Sequence, residues 1–150
     1  MIGLLQRASE GRVEIDGRPV GEIGRGLVVL VGVQREDSEA KAERLLERLL
    51  GYRVFPDESG RMNLSLRDIS GGLLLVPQFT LAADTRKGTR AGFSPAANPE
   101  LGERLFSYLV EIAKAGHPQV ACGVFGADMQ VSLTNDCLLY TSDAADDETS

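Results

Sequence analysis

Two short stretches of this chain, Gly26–Val33 and Gly72–Val76, are almost unbroken runs of Leu and Val. A half-buried strand alternates apolar with polar residues. A strand without alternation needs cover on both faces, so it belongs inside a sheet with another layer on each side. Helices to supply such a layer are legible. Ser38 stands as a cap before Ala42, Leu45, Leu46, Leu49 and Leu50, which recur at helical spacing up to a stop at Gly51. A second helix is expected with Asn98 as cap, Pro99 in its first turn and Leu101, Leu105, Leu109 and Ile112 facing inward, ending at Gly116 and Pro118. Asp16 and Gly17, set between alternating residues from Val13 to Val20, signal a tight hairpin. Further strands are expected at Arg53–Phe55, Gly72–Phe79, Gln119–Gly123 and Asp128–Thr134. With 150 residues, 43% of them hydrophobic, the chain has the material for one core in one mixed α/β domain.

The second apolar run ends abruptly in Pro77, Gln78, Phe79 and Thr80, followed by a basic loop with Arg86, Lys87 and Arg90. An amide, an aromatic ring and a hydroxyl delivered at a strand end beside cations suit a site for an anionic substrate. An ordinary strand-to-loop transition with a solvated basic loop fits the same residues. Thr80 is the side-chain nucleophile candidate, yet a hydroxyl needs a base within hydrogen-bond reach. The single His117 lies between Gly116 and Pro118 and is expected at the surface. Metal-ligand spacing is missing from the sequence, so neither a metal nor another cofactor is expected. Cys122 and Cys137 make no disulfide framework, and Cys122 reads as a small strand residue. No apolar run approaches a membrane span and no signal-peptide pattern opens the chain, which points to a cytoplasmic protein without a membrane partner. The net charge of −6 disfavours an RNA partner at first sight, but Asp143, Asp146, Asp147 and Glu148 in the last segment carry most of it.

Several separated motifs resemble, in order, those of the D-aminoacyl-tRNA deacylases. They are Met1–Arg7, Gly21–Val33, Tyr52–Asp57, Gly60–Ser65, the Pro77–Gly88 block, and Phe125–Val131, so the likeness runs from Met1 to Asp136. The resemblance implies a three-layer α/β/β domain working as a homodimer on aminoacyl-tRNA. It implies an editing hydrolase that cleaves D-aminoacyl and mischarged glycyl esters, using RNA and main-chain groups instead of a triad. Gln78, Phe79 and Thr80 then form the catalytic segment, with the N–H groups of Phe79 and Thr80 as oxyanion donors. Gln78 and Phe79 line the chiral pocket, Met62 lies in a loop of its wall, and Pro77 stands where Ser is usual. Phe125 and Met129 match the residues around the terminal adenine, Gln6 closes the first strand, and Arg7 matches the residue that holds the partner subunit's Gly-Pro motif. Arg86 and Lys87 belong to the substrate-binding loop. For Phe125 and Met129 a plain core role is the competing reading.

The last segment departs from that pattern. Asn135 and Asp136 match the start of an Asn-x-Gly-Pro-x-Thr motif, but Cys137 stands for Gly, Leu138 for Pro and Tyr140 for Thr. Residues 137–150 resemble the translation of a sequencing-library adapter. The expected organisation is therefore a deacylase domain over 1–136, lacking its last strand, and a non-native tail over 137–150. In the family the Gly-Pro bond is cis and its carbonyls exclude L-amino acids, whereas a cis bond before a non-proline residue costs about 3 kcal/mol. Pro77 removes a backbone N–H and suggests a strand near an edge or bulge. Ala91 stands where Pro is frequent after Arg90 and loosens the loop that follows. Two further classes stay open: an RNA 3′-end binder without activity, and a small-ester hydrolase using Thr80.

Overall fold

The computed structural model describes residues 1–78 and 96–143, the last seven by backbone alone. Its elements are β1 (Ile2–Ile15), β2 (Arg18–Ile23), β3 (Gly26–Gly32), α1 (Glu39–Gly51), β4 (Phe55–Pro56), β5 (Met62–Leu64), α2 (Leu66–Ile69), β6 (Gly72–Pro77), α3 (Pro99–Gly116), β7 (Val120–Cys122) and β8 (Gln130–Asp143). The two unalternating runs become β3 and β6, neighbours paired in parallel from Gly26↔Gly72 to Val31↔Pro77. β7 continues the sheet in parallel beyond β6. The Asp16–Gly17 turn places both residues at positive φ, 52° and 75°, as a primed two-residue hairpin turn requires.

β1 joins two layers. Its first half pairs antiparallel with β3, from Ile2↔Gly32 to Ala8↔Gly26. Its second half pairs with β2, from Gly11↔Ile23 to Ile15↔Arg18, and β8 follows its other edge from Glu14↔Gln130 to Ile2↔Asp143. Register shifts in the β1–β8 ladder fall between Leu4 and Gln6 and on either side of Ala8, where extra residues bend a strand and raise its twist. Past the bend β1 crosses over β3 and β6 at Gly11, where a Cβ would stand 2.8 Å from a Val28 methyl and 3.4 Å from Leu74. β2 closes this second layer against β7, its Gly21 passing tightly by the Cys122 carbonyl.

The strand period then sorts the core. Leu27, Val29, Val31, Leu73 and Leu75 face α1 and α3 with Leu45, Leu49, Leu105 and Leu109. Val28, Leu74 and Val76 face the opposite way, toward Ala8, Val13, Met129 and Leu133. This is the three-layer α/β/β arrangement. The helices are tied across their exposed side by Tyr108 Oη donating to Glu43 at 2.9 Å, a bond that holds the phenol's pKa above its ordinary value of 10.0. At the chain start the Met1 ammonium is buried against Asp37 at 2.6 Å. Asp37 also accepts the Gln34 N–H at 2.7 Å, so the buried charges are paired and bonded.

Several expectations are refined. Ser38 is the N-cap of α1 by backbone geometry, but its side chain makes no capping bond. Asn98 does cap α3, accepting the Leu101 N–H at 2.8 Å. His117 is not at the surface. It is 5% exposed, and its Nε2 lies 2.6 Å from the Gly71 carbonyl oxygen, which makes Nε2–H the donor because a carbonyl only accepts. Met62 opens a short strand instead of lying in a loop. The capping box of α2, with Ser65 and Asp68 bonding each other's backbone N–H, was not anticipated. Accepting the Ser65 N–H holds the Asp68 carboxyl below its usual 3.8. Pro77 does not mark an edge strand, since β6 lies between β3 and β7. It sits at the end of β6, beyond the last β6–β7 pair at Leu75↔Cys122, where a missing N–H costs no ladder bond on that side. β8 runs on past Thr134, and the backbone of residues 137–143 continues its pairing with β1.

Among the described glycines, the tightest surround is that of Gly26, where β3 passes β6. A Cβ on Gly26 would land on the Gly72 carbonyl group, which is backbone and unable to turn aside. Gly26→Ala should therefore lower the unfolding free energy by at least about 3 kcal/mol in a denaturant titration, far above the usual cost of a surface change.

Candidate active site

On the face of the β3–β6 pair away from the helices lies a cleft of about 910 Å³, within the size range of sites for small organic groups. Its floor is Val28 and Leu30 of β3 and Val76 of β6. One wall is Val131 and Leu133 of β8, and another is Ala96, Ala97 and Pro99 at the start of α3. Gln6 and Gln78 bring amides into this apolar surround, and Asp128 is the charged side chain among the described lining residues.

Each group is held by the fold. Gln6 stands beside Val28 in the β1–β3 register, so strand alternation points it to the cleft side. Gln78 follows the end of β6, and its N–H donates to the Val31 carbonyl at 2.8 Å, fixing the first residue beyond the strand. Ala97 N–H donates to the Val33 carbonyl at 2.9 Å, and Ala96 bridges to Gln34. These bonds anchor the lead-in to α3 on the continuation of β3. Phe125 rides on a turn rooted by the Gly123 N–H on the Leu75 carbonyl at 2.8 Å and closed by the Ala127 N–H on the Val124 carbonyl at 3.2 Å. Gly126 takes φ 81° there, the left-handed conformation glycine adopts without strain. Met129 turns its sulfur back into the turn, where Sδ accepts from the Val124 N–H at 3.3 Å.

Of the residues the sequence singled out, Gln6, Pro77, Gln78, Phe125 and Met129 line this one cleft. Phe125 and Met129 are half-buried and packed against the two core clusters, so they contribute to the core and to the cleft together. Arg7 does not line it. Its side chain projects to the opposite face, where Nη1 donates to the Val54 carbonyl at 2.6 Å and Nε to Asp136 at 2.9 Å. Met62 is also outside the cleft, 54% exposed on β5. Phe79, Thr80, Arg86 and Lys87 lie outside the described residues, as do Arg90 and Ala91. His117 is committed to Gly71 and does not reach the cleft lining. Val28, Leu30, Val76 and Asp128 also line the cleft, and nothing in the sequence pointed to them. An unalternating run hides which residues face which layer, and Asp128 carries no local signal.

A parallel strand pair with helices on one face and a bent second strand layer enclosing a cleft on the other defines a deacylase-type α/β/β domain. The comparisons make this specific. The family profile described as D-Tyr-tRNA(Tyr) deacylase matches residues 4–138. The D-aminoacyl-tRNA deacylase of Alkalilimnicola ehrlichii is 67% identical over 136 residues, 91% of each chain. That of Thioalkalivibrio sulfidiphilus is 66% identical over the same length, again 91% of each. Among solved structures, the c-Myc DNA unwinding element binding protein superposes with a TM-score of 0.86 at 34% identity, covering 91% of this chain and 93% of its own. A structure described as a probable eukaryotic D-amino acid tRNA deacylase gives 0.79 at 16% identity over 94% and 96%, a likeness of fold. The chain belongs to the D-Tyr-tRNA(Tyr) deacylase family.

Arg7 ties β1 to the segment before β4 and to β8 through one planar guanidinium, a geometry lysine cannot copy. Arg7→Lys should lower stability by about 1–2 kcal/mol in chemical unfolding, the worth of one charged hydrogen bond left unmade.

Proposed function

We propose that this protein is an aminoacyl-tRNA editing hydrolase. It cleaves the ester that joins a D-amino acid to the terminal ribose of tRNA, together with the ester of mischarged glycyl-tRNA, and releases the free amino acid and tRNA. The observation that carries this reading is the convergence of Gln6, Gln78, Phe125 and Met129 on one apolar cleft at the end of β6. An unpaired nucleotide is recognised by stacking on aromatic and apolar surface, and Phe125 and Met129 offer that surface at one end of the cleft. Gln78 and the adjoining Phe79 then face the aminoacyl group, with Arg86 and Lys87 near the RNA backbone. Arg7 acts at the meeting of two subunits.

In this reading water attacks the ester carbonyl carbon, and the N–H groups of Phe79 and Thr80 stabilise the oxyanion that forms. The carbon–oxygen bond to the ribose then breaks, and the ribose oxygen takes up a proton. His117 donates to the Gly71 carbonyl and is not among the described residues that line the cleft, which leaves the reading without a histidine base. Positioning of an already labile ester carries the rate. Thr80→Ala should accordingly keep turnover of D-tyrosyl-tRNA within about tenfold of the unchanged protein, the scale of a lost orienting contact. Loss of nearly all turnover with binding intact would instead make Thr80 the nucleophile.

The deacylase domain in this reading is residues 1–136, acting as a homodimer in the cytoplasm, and 137–150 is a non-native tail. The curated relatives align over 136 residues, and Cys137 and Leu138 replace the Gly-Pro pair that the family resemblance leads one to expect. No helix among the described residues is long and apolar enough to cross a membrane. A binding-only reading draws support from the name of the solved relative, a DNA unwinding element binding protein. Deacylation of D- and L-tyrosyl-tRNA separates the two. The unchanged chain and a version carrying Cys137→Gly with Leu138→Pro should both cleave the D-ester, the second with a sharper preference over the L-ester. Binding of both RNAs without cleavage by either protein would sink the editing reading.

A further inference from the structure

Gly102 lies in the first turns of α3, buried against the turn that carries Phe125. A Cβ built at Gly102 would sit 3.0 Å from Cζ and 3.2 Å from Cε2 of the Phe125 ring, and among the described residues outside its own helix backbone and chain neighbours no other heavy atom comes within 4 Å. The ring therefore rests on bare helix backbone. Neither support can withdraw easily. The Gly102 N–H donates to the Asn98 carbonyl at 2.9 Å, Asn98 caps the helix, and Leu105 and Phe106 on the next turn are core. The Phe125 turn is rooted on β6 through Gly123. On the inner side Phe125 borders a void of only about 10 Å³ among Val33, Pro77 and Phe106, too small to accept a displaced ring. Its open side is the 910 Å³ cleft.

We infer that Gly102 is a positioning residue: by lacking a Cβ it lets the Phe125 ring lie back against α3, and so sets the width of the cleft at the end that takes the terminal nucleotide. This rests on the reading of Phe125 as the nucleotide-stacking residue. Glycine inside a helix is less stable than alanine through its greater backbone freedom. Its presence at a buried, regular helical position is accounted for by the ring it accommodates. A methyl group at Gly102 meets the ring edge and drives it toward the cleft, since the void beside it among the described residues holds only about 10 Å³.

The test is a double-mutant cycle of Gly102→Ala with Phe125→Leu, read by steady-state deacylation of D-tyrosyl-tRNA and by thermal unfolding. Gly102→Ala should raise KM about five- to tenfold, a fraction of the worth of one stacked base. It should leave kcat within about twofold and Tm unchanged or higher, because alanine favours the helix. In the Phe125→Leu background the same change should add no further KM penalty. An unchanged KM, an equal penalty in both backgrounds, or a fall in Tm that Phe125→Leu does not repair would overturn the inference. Should the unmodified protein fail to hydrolyse the ester, the functional reading falls by itself. The cycle is then read as the Kd for uncharged tRNA ending in adenosine, with the same pattern expected. Absence of that binding too would overturn the role of Gly102.

Discussion

The bend in β1 is the constraint on which the other features depend. One strand cannot follow β3 throughout and also cover the far face of the β3–β6 pair, so it leaves β3 after Ala8 and joins β2 from Gly11. The irregular β1–β8 register absorbs the change of direction, as bulges do. At the crossing β1 comes so near Val28 and Leu74 that a Cβ at Gly11 would overlap a Val28 methyl. Two layers thus meet with side chains between them, and β8 travels with β1 to bring Val131 and Leu133 over the sheet. The cleft is the part of that interlayer space which side chains leave unfilled.

Strand alternation then divides labour between neighbours in sequence. Gln6 and Arg7 are adjacent, yet one enters the cleft while the other spans to Val54 and Asp136 on the opposite face. On β3, Val29 packs against the helices while Val28 and Leu30 make the cleft floor. Among its described lining residues the cleft is poor in charge, with Asp128 the one ionisable side chain. Stacking and exclusion of water from an ester are the tasks an apolar lining does well, because hydrogen bonds from fixed donors count for more where water is absent. The floor of the site is the sheet, and the aromatic contact is set on it from the side by α3 through Gly102.

Much of this architecture was legible beforehand. Ala42, Leu45, Leu46, Leu49 and Leu50 are all buried at the helical period that announced them, and Asp16–Gly17 makes the hairpin turn that its residue types demand. Those signals are local, carried by spacing or by a conformational preference. Less legible were His117, whose burial depends on a carbonyl brought from Gly71, and the place of β6, where a proline suggested an edge. Proline reports one missing N–H, and at Pro77 the neighbouring ladder has already ended. The short elements β5 and α2 were missed because a few residues carry too little periodicity to register.

By itself the sequence determined the fold class, the helices and their inward faces, the hairpin, and through ordered motifs the family. All of these follow from residue type and spacing along the chain. Tertiary structure alone decided which face of each apolar strand meets the helices and which meets the cleft. It alone showed that Gln6 and not Arg7 enters the cleft, and that Phe125 rests on a glycine of α3. An unalternating run has no phase, and a contact between residues distant in the chain leaves no mark on local spacing. Only the pairing register and the bend of β1 supply that phase.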